Sequence, residues 1–312
     1  MKNIVVTTCT NRKLQPAESA LQARNLNLSS VTGVAKEWVS RLATAQNVFE
    51  LSNVYCGRSY VEAVNAANAI SAPLYVISAG LGLIAPGQKI PAYDLTTAKT
   101  SADRVQSKVD SSASSSDWWE ALNMSLGKGA PIANLVKLNS SAVVIIGLSS
   151  SYLEMIANDI LSMGSNDLSR LRIIGPRPSQ NVPEQIAPIV MPYDDRLDGP
   201  DSPIPGTRGD FAQRALHHFC NLISSSEKKL GGLGADRDFV LSSLEGKRHP
   251  VHITRRSVSD AELIDLVLDL WGRANGRSSK MLRILRDEEC IACEQGRFSI
   301  LFKQAKELHG LA

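Results

Sequence analysis

The stretch Leu74-Tyr75-Val76-Ile77-Ser78-Ala79-Gly80-Leu81-Gly82 reads as a buried strand that stops abruptly in small residues. Its apolar part is too short for a helix and rich in β-branched and aromatic side chains, and the glycines after it punctuate the chain. Residues 4–7, 143–147 and 171–175 have the same form, each rich in Ile or Val and each closed by small or polar residues. Between these strands, residues 31–42, 60–70, 117–124 and 152–163 have helical character, and Tyr60, Val64, Ala67 and Ile70 share one face of the second. Apolar strands alternating with helices predict an α/β fold, a mainly parallel sheet covered by helices.

Such sheets bind ligands beyond the carboxyl ends of their strands. That rule selects residues 8–13, 79–94, 148–151 and 176–183 as the places to look for chemistry. Residues 101–117, crowded with Ser111, Ser112, Ser114, Ser115 and Ser116, read as a mobile excursion, either a lid or a plain loop. Residues 192–210, broken by prolines and acidic residues, read as a long irregular connection.

At 312 residues the chain exceeds most single cores, so a large domain with a smaller one is expected. The break is placed at Ser224-Ser225-Ser226, followed by Gly231, Gly232 and Gly234 and a basic run with Lys247, Arg248, Arg255 and Arg256. This gives an α/β domain over 1–224, a linker over 225–258 and an all-α module over 259–312. In the module, Ser259 with Glu262 has the form of a capping box, Leu263, Leu266, Val267, Leu270 and Trp271 share a face, and Asn275-Gly276 ends the helix. Two more helices, 279–286 and about 293–308, complete an arrangement resembling a helix-turn-helix. Arg255, Arg256, Lys280, Arg283 and Arg297 are its candidate DNA contacts.

With 43% hydrophobic and 21% charged residues, the chain is not expected to be disordered. The first residues lack a secretory signal, no apolar run approaches the roughly 20 residues needed to cross a bilayer, and the five cysteines are odd in number and scattered. A cytoplasmic protein is expected. The net charge of +3 permits a nucleic-acid partner without arguing for one.

The loop Thr7-Thr8-Cys9-Thr10-Asn11-Arg12-Lys13 sets hydroxyls, an amide and two cations directly after a strand. Arg12 suits a phosphate and Asn11 a base edge, although the same residues also make a solvated loop with a helix cap. Ser78 and Gly80 open the second loop, where glycine permits close approach to a ligand. That loop continues to Tyr93-Asp94, an aromatic able to stack on a base beside a carboxylate. In N-glycosidic cleavage a carboxylate stabilises the oxocarbenium charge or activates water, which makes Asp94 the first catalytic candidate; capping a following helix is its ordinary alternative. Arg58 and Ser149, each at a helix start, are candidate phosphate contacts or ordinary cap-region residues. Asp194, in Tyr193-Asp194-Asp195, is the reserve carboxylate, and the acidic pair could also hold a divalent metal or form an exposed turn. No metal site is expected elsewhere: Cys290 and Cys293 lack a second ligand pair, and His217 and His218 point apart on a helix.

The order Thr8-Cys9-Thr10-Asn11-Arg12-Lys13, Val54-Tyr55-Cys56-Gly57-Arg58-Ser59-Tyr60, Ile77 to Ile84 and Ile90-Pro91-Ala92-Tyr93-Asp94-Leu95-Thr96 resembles a bacterial and phage domain family related to the peroxide-stress proteins. This likeness covers roughly residues 1 to 100. Leu282-Arg283 through Cys293-Glu294-Gln295-Gly296-Arg297-Phe298 resembles a helical DNA-binding element attached to such domains. Within this neighbourhood the chain is similar to phage-defence DNA glycosylases that remove hypermodified bases such as glucosylated hydroxymethylcytosine. The resemblance implies base flipping into a pocket, release of the base to leave an abasic site, no cofactor, and phage DNA as partner. Within that reading the chemistry of the side chains, not a family motif, assigns Asp94 as catalyst, Tyr93 to stacking on the base, Asn11 to its edge, and Arg12, Lys13 and Arg58 to phosphates. The G-Q-D-P-Y and H-P-S-P segments of uracil-DNA glycosylases are absent, so no roles transfer from those enzymes. A non-catalytic nucleotide or DNA sensor and a base-exchanging transferase are the alternative functions.

Overall fold

The computed structural model describes residues 3–110, 113–176, 182–226, 230–251 and 254–310. Ser111, Ser112 and most of the predicted loop at 176–183 lie outside them. The chain divides into two compact units, Met1–Pro250 and Val251–Ala312.

The first unit is built on strands β1 (Asn3–Thr8), β2 (Leu74–Ser78), β3 (Gly82–Ile84), β4 (Val143–Gly147) and β5 (Leu171–Ile174) in the order β3-β2-β1-β4-β5. All neighbours are parallel except β2 and β3. The four strands expected from apolar runs are present. Strand β3 was hidden because three residues after a tight turn carry no periodic signal, and Gly82, at φ 69°, supplies the left-handed backbone that turn needs.

The strands are apolar on both faces because both are covered. Ile4 and Val6 of β1 and Val144 and Ile146 of β4 join one core with helices α1 (Val31–Ala43), α3 (Ser115–Ser125), α4 (Pro131–Leu138) and α5 (Ser150–Leu161). Val5, Val143 and Ile145 point the other way, into a core with α2 (Arg58–Ala69), α6 (Phe211–Ser225) and α7 (Leu233–Leu244). Local chemistry sets several helix starts: Ser30 accepts from the Gly33 N–H at 3.2 Å, Ser114 and Asp117 form a reciprocal capping box, and Pro131 opens α4.

Two expectations change, and a third segment, irregular as expected, proves to be anchored. The stretch 225–258 is not simply a linker: α7 lies in it, buries Val240 and Leu244, and is tied to β5 by the buried Arg172–Asp236 pair at 2.7 Å. The excursion at 101–117 is pinned where described, because Arg24 grips Asp103, Val105 N–H donates to the Thr96 carbonyl at 2.9 Å, and Val105 is fully buried. The irregular 192–210 segment is held by Arg214, a buried cation that donates to Asp198, Asp210 and the carbonyls of Ile204 and Thr207. On the edge strand, Lys128 Nζ donates to the carbonyls of Leu81 at 3.2 Å and Leu83 at 2.8 Å.

The second unit packs α8 (Asp260–Asp269), α9 (Ser278–Arg283) and α10 (Gln295–Leu308) around Leu263, Val267, Met281, Leu285 and Phe298. Ser259 caps α8 through the Glu262 N–H at 3.2 Å, and Asn275, at φ 51°, ends the turn after it. It is not wholly α: two-residue strands β6 (Arg256–Ser257) and β7 (Ile291–Ala292) pair in parallel. Among the described residues no helix is long and apolar enough to cross a membrane.

Candidate functional site

The chain runs from β1 to β2 on one side, then crosses back to β4 on the other, so the strand order reverses between β1 and β4. At such a reversal the loops diverge and leave a crevice at the carboxyl edge of the sheet. A cleft of about 1100 Å³ lies there, lined by Thr8, Cys9, Thr10 and Asn11 after β1 and by Ser149, Ser150, Ser151 and Tyr152 after β4. Its walls come from both helical layers. Thr96, Lys99, Arg104, Gln106, Ser114 and Ser115 belong to the side of α3, and Arg208, Gly209, Phe211 and Gln213 to the start of α6.

Four helices of eight or more residues begin at this cleft, α2, α3, α5 and α6, and each has first-turn residues in its lining, where the positive dipole end and unshared N–H groups lie. Lys99, Arg104 and Arg208 add full charges, and among the described residues none of the three has a carboxylate within ion-pair distance. Among the described residues Glu154 is the single carboxylate in the lining. Ser149 stands at the N-cap of α5 without capping it; its hydroxyl instead pairs with that of Ser151 at 3.0 Å. Cys9 Sγ and the Tyr152 hydroxyl are hydrogen-bonded at 3.0 Å, and burial raises the Tyr152 phenol well above its usual range, so it stays neutral. Gln213 Nε2 donates across the floor to Thr7 at 3.4 Å and Thr8 at 3.3 Å. The result is a hydroxyl-rich, cation-rich cleft suited to an anionic polar ligand.

Of the residues expected from sequence, Asn11 and Ser149 line this cleft. Backbone bridging of Lys13 to Tyr55 turns the loop after Asn11 away, so Arg12 is exposed elsewhere and the Lys13 ammonium sits 4.5 Å from the centre of the Tyr93 ring. Tyr93 is fully buried and cannot stack on a ligand. Its hydroxyl is bonded to Ser78 at 2.5 Å and to Tyr55 at 2.8 Å, and burial raises both phenols well above the usual range. Ser78 also accepts from the N–H groups of Gly80 and Leu81, and a Cβ on Gly80 would lie 2.7 Å from the Tyr93 ring. These residues form a buried hydroxyl cluster that shapes the β2–β3 turn, so Gly80 makes room for an internal ring and not for a ligand.

Asp94 neither caps a helix nor lines the cleft. It bridges the backbone of Gln22 and faces Lys13 at 3.9 Å. Arg58 is engaged by Glu62 at 3.3 Å, by Asp210 at 3.7 Å and by the Pro205 carbonyl. Partial burial pushes the Asp194 carboxyl up, but the Arg196 guanidinium at 2.8 Å overrides this and holds it below the usual carboxylate range. Asp195 pairs with His249 at 2.6 Å, so the acidic pair is a structural turn. In the second unit Arg255 is paired with Asp287, Arg256 with Glu262 and Arg297 with Asp260. Lys280 and Arg283 have no ion pair among the described residues. No cluster of three or more His, Cys, Asp or Glu fit to hold a metal occurs among the described residues.

No protein-family model, curated protein or solved structure matches the chain. The likeness seen in the N-terminal and C-terminal motifs therefore rests on those motifs alone.

Proposed function

We propose that the cleft of the first unit takes a nucleotide unit of DNA and hydrolyses its N-glycosidic bond. What supports this is the coincidence, at the strand-order reversal, of a large hydroxyl-lined cleft with three cations that have no ion pair and a single carboxylate among the described residues. Cations and helix N-termini suit phosphate, hydroxyl and amide groups suit sugar and base, and a volume of about 1100 Å³ exceeds that of a typical small-ligand pocket. In the reaction, water adds to C1′ as the C1′–N bond breaks, the base leaves with the bonding pair, and the proton that water gives up to Glu154 returns, through solvent, to the departed base. Glu154 takes the role expected of Asp94: it stabilises the oxocarbenium charge and accepts the proton of the attacking water.

The test incubates the full chain with phage DNA carrying modified bases and with unmodified DNA, and counts abasic sites with an aldehyde-reactive probe. Abasic sites should form, and Glu154→Gln should slow them by about 10²–10⁴-fold; intact DNA in every reaction refutes the proposal. Mass spectrometry of the released base separates hydrolysis from base exchange. A non-catalytic nucleotide sensor is the second reading, favoured by the exposure of Glu154 and by the distance of both other carboxylate candidates from the cleft lining. Under it, DNA binds and survives.

A further inference from the structure

One wall of the cleft carries a donor and an acceptor with nothing to bond. Arg104 Nε and Gln106 Oε1 are both shut off from solvent and both without a hydrogen-bond partner among the described residues, and both side chains line the cleft. Only one other buried side-chain polar atom described in the chain, Asn123 Oδ1, shares this condition. Leaving a buried donor or acceptor unmade costs about 1–3 kcal/mol, so two on one wall within three residues need a reason.

The local sequence explains how they come to stand together. Arg104 is the extended residue that leads into the 3-10 turn Val105–Lys108 and Gln106 is the turn's second residue; Val105 between them is fully buried in the core, while Arg104 and Gln106 both line the cleft. The backbone is fixed on both sides: Thr96 N–H donates to the Asp103 carbonyl at 3.0 Å, Val105 N–H to the Thr96 carbonyl at 2.9 Å, and Ser29 N–H to the Lys108 carbonyl at 3.1 Å. Arg24 Nε locks the Asp103 carboxylate at 2.9 Å. The backbone of the wall is therefore fixed, and only the Arg104 and Gln106 side chains have to turn for their shielded atoms to meet a ligand.

We infer that Arg104 and Gln106 are the specificity-determining pair of the cleft, reading a ligand edge that offers an acceptor beside a donor. Nucleobase edges have that form: Arg104 donates to a ring nitrogen or carbonyl oxygen, and Gln106 Oε1 accepts from the adjacent ring or exocyclic N–H. This inference rests on the nucleotide reading above and adds which wall holds the base, leaving Arg208 and the start of α6, on the other helical layer, to the phosphate.

The test titrates the full chain by calorimetry with the four common deoxynucleoside 5′-monophosphates in turn, and with deoxyribose 5-phosphate, which has the anion and no base. Gln106→Leu should weaken the best-bound nucleotide about tenfold or more while leaving deoxyribose 5-phosphate unchanged. Its Tm should stay level or rise, because an unmet buried acceptor has been removed. Arg104→Lys, which keeps the charge and loses the Nε–H, should show the same contrast between the two ligands. Unchanged nucleotide affinity in both variants overturns the inference, as does an equal loss for both ligands. Failure of the unaltered protein to bind any of the five compounds overturns the nucleotide reading, and this inference with it.

Discussion

Replacing Asp236 by Ala is the most direct probe of how the first unit is held together. Arg172 and Asp236 are both almost wholly buried, with Nε to Oδ2 at 2.7 Å, and Asp236 Oδ1 also accepts the Gly231 N–H at 3.0 Å. After truncation the guanidinium keeps the carbonyls of Ser169, Leu171 and Gly231, at 2.8–3.0 Å, but loses the carboxylate that neutralises it. Orphaning one member of a buried pair costs about 3–5 kcal/mol, and the surviving carbonyl contacts place the expectation near about 3. For a unit of this size each kcal/mol lowers Tm by about 2–4 °C, so a fall of roughly 6–12 °C is expected. Urea unfolding followed by tryptophan fluorescence reports on it, since Trp38, Trp118 and Trp119 lie in the core beneath β1 and β4. The double variant Arg172→Met with Asp236→Leu should recover much of the loss, because no charge is then left buried. A loss under about 1 kcal/mol, or a double variant no better than the single, would refute the reasoning; the first result would also mean that 225–258 behaves as a linker after all.

Tyr93→Phe should destabilise by about 1–3 kcal/mol, because Tyr55 and Ser78 each lose a buried partner; a substitution silent in urea unfolding would remove the assigned role. His218, hydrogen-bonded to Tyr193 at 2.9 Å, is lowered to about 4 by burial. The unfolded chain therefore binds this proton first, and stability should fall between about pH 6.5 and pH 4 by at most about 1.4 kcal/mol per pH unit. Unfolding curves at pH 7, 6 and 5 should show this slope, flattened in His218→Gln. At Gly175, with φ 124° and the Leu148 carbonyl 2.1 Å from an added Cβ, alanine should cost about 3 kcal/mol or more, whereas Gly87→Ala, with open space around it, should cost about 1–2 for its φ alone. Soluble yield and Tm of the two variants, side by side, check the contrast.

The four parallel strands were legible because burial on both faces leaves continuous apolar runs, and their bounds follow those runs closely. Helix α7 was not, because its few buried side chains stand among glycines and serines that locally spell a linker; only Arg172, 64 residues earlier, shows why it docks. The cleft was half legible. The rule that ligands sit beyond strand ends found Asn11 and Ser149, since both follow a strand directly. It could not find Arg104, Gln106, Arg208 or Gln213, which reach the cleft from segments distant in sequence. Tyr93 misled because an aromatic beside a carboxylate looks like a binding pair, and nothing local reveals that Ala92 and Tyr93 both turn inward while Asp94 faces out.

The Lys128 ammonium on the carbonyls of Leu81 and Leu83 has a bearing on how copies of this molecule coexist in solution. Strand β3 closes one side of the sheet and is three residues long. An unguarded border of this kind invites strand addition from a second molecule, the first step of amyloid-like association. Here an incoming strand would have to displace a cation from two carbonyls and then compete for a very short ladder. The same lysine that fastens the β2–β3 turn thus occupies two of the acceptors that such an addition would need.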